Sequence, residues 1–236
     1  MGDLDGRVIA IAGAAGGLGP TVAARLAEEG ASIAATDVSQ ERLDQLGSDL
    51  VMSDQRFDGR AVDLLDEQAT RGWAADLRER FGHVDGLLHL VGGWRGGQPI
   101  AEAPLEDYEW LHDLLVRTVQ HTTRAFWDSL AASEHGRFIL VSAAQAQRPE
   151  GTNASYATAK AAAEAWTLAL ADSFKDTSAT ANVIVVNAIL TPSMRAENPD
   201  KPFRTFTSAE EIAEAICFVC SDAALKMNGQ RLSLHP

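Results

Sequence analysis

The sequence predicts an α/β fold: a doubly wound parallel sheet of seven strands with helices on both faces. Two observations carry this expectation. Short β-branched runs alternate with helix-period segments along all 236 residues, and that alternation calls for parallel strands joined by crossover helices. Hydrophobic residues make up 46% of the chain, enough for a substantial core, which excludes a disordered chain.

The elements follow in order. "RVIAIAG" (7–13) reads as a buried first strand, and "LGPTVAARLAEEG" (18–30) as a helix closed by Gly30. "ASIAATD" (31–37) is the second strand, with a helix opening near Ser39. "GRAVDL" (59–64) is the third strand, and "DEQATRGWAADLRERFG" the helix after it. "VDGLLHLVGG" (84–93) is the fourth strand, followed by a long helix over about 106–132. "GRFILVS" (136–142) is the fifth strand, and 154–174 the next helix. "ANVIVVNAI" (181–189) is the sixth strand. "SAEEIAEAICFVCSD" (208–222) is a helix whose Ser208 and Glu211 match a capping box. "GQRLSLH" (229–235) is the seventh strand. Crossovers should be right-handed. With no composition break and no repeat, residues 1–236 are expected to form one domain.

Charge and composition exclude several classes. The net charge is −13 with no basic cluster, which argues against nucleic acid. No run reaches the roughly 18 apolar residues of a membrane span. The N-terminal "MGDLDGRVIA" has no basic segment leading an apolar one, so no signal peptide is expected. The protein is expected to be cytoplasmic, away from membranes. Cys217 and Cys220 form a C-x-x-C without neighbouring ligands and read as core residues of an amphipathic helix. No metal is expected.

The first loop carries the first functional signal. In "AGAAGGLG", Gly13, Gly17 and Gly19 follow G-x-x-x-G-x-G between a strand and a helix. Glycines there let the backbone turn tightly and approach a pyrophosphate, and free N–H groups at the helix start bind the anion. Pro20 fits the first turn, where no N–H is needed. This is the arrangement of a Rossmann-type fold. Asp37 ends the second strand, about 20 residues on, where a carboxylate accepts ribose hydroxyls and repels a 2′-phosphate. No basic residue follows before Arg42. The expected cofactor is therefore NAD rather than NADP.

Tyr156 and Lys160 supply the second signal. Four residues apart on a helix, they share one face. Together with the loop and Asp37, the pair resembles the short-chain dehydrogenase/reductase family over essentially the whole chain. The resemblance implies that Tyr156 exchanges a proton with the substrate, and that Lys160 lowers the phenol's pKa and holds the nicotinamide ribose. It implies cofactor contacts from Ala15 and Leu18 in the loop, and from Asp63 and Leu64 in "VDL". "DGLLHLVGG" (85–93) stands where the family reads D-x-L-V-N-N-A-G, which implies contacts from Val91, Gly92 and Gly93. Thr191 in "NAILTPSMR" (187–195) is implied to meet the nicotinamide amide. The helices near 106–132 and 154–174 are implied to form a homodimer or homotetramer interface.

Several positions depart from the family pattern. The orienting serine, thirteen residues before the tyrosine, is Ala143. Ser142 is next door, but neighbouring strand residues point to opposite faces, so it serves only if the strand end twists. The family asparagine, counted from Trp110, falls on Arg117. The Pro-Gly after the sixth strand is missing. These features, with "GGWRGG" (92–97) and "TPSMRAENPDKPF" (191–203), are locally similar to the dihydropteridine reductase branch. Trp94 stands at the carboxyl end of strand four, where a ring can stack on a planar substrate. The resulting expectation is an NAD-dependent oxidoreductase with a reduced active site. Its small-molecule substrate is a planar carbonyl, quinone or imine-like compound, with Trp94 and Ala143 at the substrate and Ser142 as a further catalytic candidate. The competing expectation is a catalytically weak dinucleotide binder that acts as a regulator or assembly partner.

Overall fold

A computed structural model describes residues 2–50 and 52–235. Seven strands form one all-parallel sheet in the order β3-β2-β1-β4-β5-β6-β9. They are β1 (Val8–Ala12), β2 (Ser32–Asp37), β3 (Phe57–Ala61), β4 (Gly86–His89), β5 (Arg137–Ala143), β6 (Thr180–Val186) and β9 (Arg231–Ser233). The strand order reverses between β1 and β4, and the crevice outside the carboxyl ends there is where open α/β sheets bind ligands.

Helices cover both faces. On one face α1 (Gly19–Glu28), α2 (Gln40–Asp49) and α8 (Ala209–Cys220) pack Leu26, Leu43 and Ile216 against Ile11, Ile33 and Ile139. On the other, α3 (Glu67–Phe81), α5 (Thr118–Ala132) and α6 (Ala154–Ser173) pack Leu77, Phe126 and Leu170 against Ala10, Leu87 and Phe138. Buried on both sides, the strands are continuous apolar runs rather than alternating ones. Along β5 the faces alternate: Ile139 and Val141 join the first core, Phe138 and Leu140 the second.

Helix ends follow local chemistry. Asp66 caps α3 by accepting from the amides of Gln68 and Ala69, and Gly82 closes it at φ +83°. The capping box of Ser208 and Glu211 is formed. Cys217 and Cys220 are free and buried.

The structure moves several expected boundaries. The third strand covers 57–61 instead of 59–64, because its partner β2 ends at Asp37, opposite Ala61. The fourth is four residues instead of ten, because β1 stops at Ala12, opposite His89. The sixth strand ends at Val186. Residues Ala188–Leu190 leave the sheet as β7 and pair in parallel with β8 (Phe206–Ser208), which sequence reading missed. Between them lies another unforeseen element, α7 (Pro192–Glu197). The seventh strand shortens to three residues. The long helix comprises α4 (Leu105–His112), a π-helical turn at Asp113–Arg117, and α5.

Candidate active site

The carboxyl ends of the strands open onto two cavities that share Gly16, Leu90, Val91 and Gly92. One, of about 530 Å³, is lined by Gly17, Leu18, Gly93, Trp94, Ala143, Tyr156, Lys160 and Thr191. The other, of about 320 Å³, is lined by Gly13, Asp37, Asp63 and Leu64. A larger cavity of about 800 Å³ lies beyond the opposite, amino-terminal ends of the strands, lined by Arg7, His83, Asp85 and Asp222. It has no part in the arrangement expected from the sequence.

The glycine loop does two separate jobs. Gly13 adopts φ +80°, and a Cβ there would lie 2.8 Å from the backbone nitrogen of Val91. A Cβ on Gly19 would fall 2.1 Å from the Ala14 carbonyl oxygen, so this glycine seats α1 on the strand end rather than lining either cavity. Leu18 precedes α1 without any side-chain cap. The amides of Gly17 and Leu18 make no hydrogen bond to any described residue. Unpaired N–H groups at a helix start favour an anion, so the loop fits a dinucleotide pyrophosphate. Ala15 turns its carbonyl to the Arg42 guanidinium at 3.3 Å.

Asp37 stands at the end of β2, where Oδ1 accepts from the Val38 amide at 2.8 Å and from Arg42 Nη2. Its Oδ2 accepts no hydrogen bond from any described residue, which suits a ribose hydroxyl. Arg42 is thus part of the same cavity, one turn into α2, which sequence distance concealed. Asp63 Oδ1 accepts from the Leu65 amide at 2.9 Å, and Leu64 is buried beside it. Thr191 lines the first cavity while its hydroxyl accepts from the Met194 amide and so caps α7.

Tyr156 and Lys160 lie on one face of α6, at the wall of the first cavity. Lys160 is buried, and its Nζ donates to the Val141 carbonyl at 2.9 Å. Burial pushes the ammonium down to about 8, opposed by the negative charge of Glu164. Burial pushes the Tyr156 phenol up to about 12. In the protein alone the direction is the opposite of the one the resemblance implies: desolvation raises the phenol's pKa, and the phenol is held protonated.

The structure places Ser142 at the cavity wall with its hydroxyl engaged. Strand alternation sends its side chain toward α6, where Oγ donates to Glu164 Oε1 at 2.7 Å. Ser142 and Ala143 both line the cavity; the Ser142 hydroxyl is engaged by Glu164, and Ala143 has no hydroxyl to offer. Arg117 is likewise turned outward, with its Nε donating to Asp113 at 3.0 Å. The π-helical turn instead presents Leu114 and Thr118 to the second cavity. Arg95 lies over the Trp110 ring at 4.1 Å and pairs with Asp107, so it is held away from the cavity. Trp94 is 58% exposed at the cavity mouth.

Three further residues escaped the sequence reading. Gln145 and Asn187 line the first cavity, and no spacing rule marks either of them. His89 ends β4 fully buried, with its two ring nitrogens on the hydroxyls of Thr118 and Thr122. Burial, with the nearby Lys160 charge, pushes it down to about 3, so the imidazole is neutral. Its place within "DGLLHLVGG" was the available signal.

Comparison with known proteins agrees with this geometry. Residues 13–234 match the family model described as enoyl-(acyl carrier protein) reductase. Dehydrogenase/reductase SDR family member 6 of Danio rerio is 28% identical, covering 97% of this chain and 96% of that protein. The 7alpha-hydroxysteroid dehydrogenase of Escherichia coli K12 is 27% identical, covering 98% and 93%. A solved hydroxysteroid dehydrogenase from Escherichia coli superposes with a TM-score of 0.84 at 25% identity, covering 98% and 96%. With loop, acid, tyrosine and lysine assembled at one sheet edge, the chain belongs to the short-chain dehydrogenase/reductase family, oxidoreductases that bind a nicotinamide dinucleotide.

Proposed function

We propose that the protein is an NAD(H)-dependent reductase of a small planar carbonyl, quinone or imine-like substrate, with pterin-type rings included. The observation that carries this reading is the pairing of a protonated Tyr156 with Lys160 at a cavity whose serine position holds Ala143. A carbonyl substrate held by a serine hydroxyl loses that contact here. A flat conjugated ring needs it less, because stacking on Trp94 can orient it. The bound dinucleotide supplies or accepts the hydride. Tyr156 delivers the proton, and a phenol at about 12 remains a donor throughout the physiological range. Lys160 holds the nicotinamide ribose, Asp37 Oδ2 the adenosine ribose, and the loop amides the pyrophosphate. The cofactor choice rests on Asp37, and the chain is proposed to work as one unit over 1–236. We also propose homo-oligomerisation through the helical face of α5 and α6, which carries the part-exposed Trp127.

A second reading, a dinucleotide binder without turnover, is favoured by one observation: the only hydroxyl beside Ala143, that of Ser142, is committed to Glu164. NADH oxidation against quinonoid dihydropterin, quinones, diketones and imines separates the two. The enzyme reading expects turnover on at least one of them. With that substrate, Tyr156→Phe should lower kcat by a hundredfold or more, on the order of a positioned acid's contribution, with little change in NADH Kd. NADH binding without turnover on any of these compounds establishes the second reading instead.

A further inference from the structure

Tyr156, Lys160 and Glu164 recur every four residues on α6 and so form one stripe. The third member has no place in the mechanism above, yet it is a buried carboxylate held by three side chains. Glu164 is 1% exposed. Its Oε1 accepts from Ser142 Oγ at 2.7 Å; its Oε2 accepts from Arg231 Nε at 2.6 Å and from Gln147 Nε2 at 3.4 Å. These partners come from β5, from β9 and from the turn that precedes α6. A buried carboxylate is costly unless paired and hydrogen-bonded, and three separate segments meet that requirement here.

Lys160 stands in contrast. It is 5% exposed, its one protein acceptor is the Val141 carbonyl, and it forms no ion pair with any described residue. A buried ammonium without a negative neighbour gives up its proton readily. The groups near it are the Tyr156 phenol and Glu164 on its own helix, and the neutral His89 on β4. Arg231 on β9 is the cation paired with Glu164. Among the described residues Glu164 is therefore the anion acting on Lys160, and its effect opposes the downward pull of burial.

We propose that Glu164 is a positioning residue of the active site: clamped by Ser142 and Arg231, its carboxylate keeps the buried Lys160 ammonium charged. The assignment gives the Ser142 hydroxyl, at the cavity wall, the work of holding Glu164. It also makes Arg231, on the last strand, part of the support of the acid–base pair. The proposal rests on the reading of Lys160 as the group that grips the nicotinamide ribose.

The test is NADH affinity, followed by fluorescence without substrate between about pH 6 and 10. Wild-type affinity should fall as pH rises through about 8, the value at which Lys160 discharges. In Glu164→Gln that fall should begin at least about one pH unit lower, equal to tenfold in proton concentration. Glu164→Asp should restore part of the difference. Because Glu164→Gln leaves the Arg231 charge without its partner, Glu164→Gln/Arg231→Met removes both charges and should show the fall displaced in the same direction by a smaller amount. Bound NADH with an unchanged pH profile in both variants would overturn this proposal alone. Failure of the wild type to bind NADH would overturn the reading of the nicotinamide site, and this proposal with it.

Discussion

Asp37 shows how one residue's meaning depends on its neighbours. On the proposed reading its position after the second strand selects against a 2′-phosphate, and its Oδ2, with no hydrogen bond from any described residue, fits a ribose hydroxyl. Yet Arg42 already stands against Oδ1. The cation needed to receive a phosphate is thus in place, neutralised by the acid that rejects it. Asp37→Ala alone should therefore erode the preference for NADH, with no basic residue added at Val38. A shift of about tenfold or more in the NADPH/NADH affinity ratio is expected, the order of losing one charged hydrogen bond of 1.5–3 kcal/mol. Titration of both cofactors checks it, and an unchanged ratio would show that Asp37 does not read the ribose. Ser142 teaches the same lesson: a hydroxyl one position from the expected serine lies at the cavity wall but is bonded to Glu164.

Among the elements, the β1–α1 unit is the most tightly specified. Its loop must turn at Gly13, leave amides unpaired at Gly17 and Leu18, and bring α1 close to the strand end at Gly19. A methyl group at Gly19 would meet the Ala14 carbonyl at 2.1 Å, which is backbone and has little room to retreat. Gly19→Ala should destabilise the fold by about 1–3 kcal/mol or more, as overpacking does, and should weaken dinucleotide binding by displacing the start of α1. Urea unfolding and NADH titration measure the two effects. A variant of wild-type stability would remove the packing argument. The π-helical turn at Asp113–Arg117 is a second specified element. It turns Arg117 to the surface and Thr118 inward, where the Thr118 hydroxyl donates to Leu114 and meets His89. A residue count from Trp110 assumes an unbroken helix, and so it points to Arg117.

For the molecule as a whole, the buried lysine carries a stability cost that depends on pH. Lys160 titrates ordinarily at 10.5 and is pushed down to about 8 by burial. Below pH 8 it is charged in both the folded and unfolded states, and burial costs the full difference, about 3 kcal/mol at 1.36 kcal/mol per pH unit. Between pH 8 and 10.5 the folded protein has released the proton and the unfolded chain has not, so the cost shrinks. Above 10.5 it vanishes. Lys160→Met should accordingly stabilise the protein near pH 7 by about 1–3 kcal/mol, with the gain fading as pH approaches 10.5, while abolishing activity. Thermal unfolding across that range checks it. A gain that is absent at pH 7, or independent of pH, would contradict the burial cost.

By itself, the sequence determined the α/β class and the seven parallel strands, and it pointed to the glycine loop, Asp37 and the Tyr156–Lys160 pair, which line the cavities at the carboxyl ends of the strands. All of these rest on local patterns: residue periodicity, glycine spacing, and a four-residue step along a helix. Only the tertiary structure decided where strands end, since β3 and β4 stop where β2 and β1 run out of partners. It also decided which groups meet. Arg42 returns to Asp37 across a helix turn, Arg231 reaches Glu164 over 67 positions, and β7 finds β8 around a segment that looked like plain loop. Burial then set the direction in which Tyr156 and Lys160 titrate. Desolvation and long-range pairing depend on what surrounds a residue in space, and no short stretch of chain carries that information.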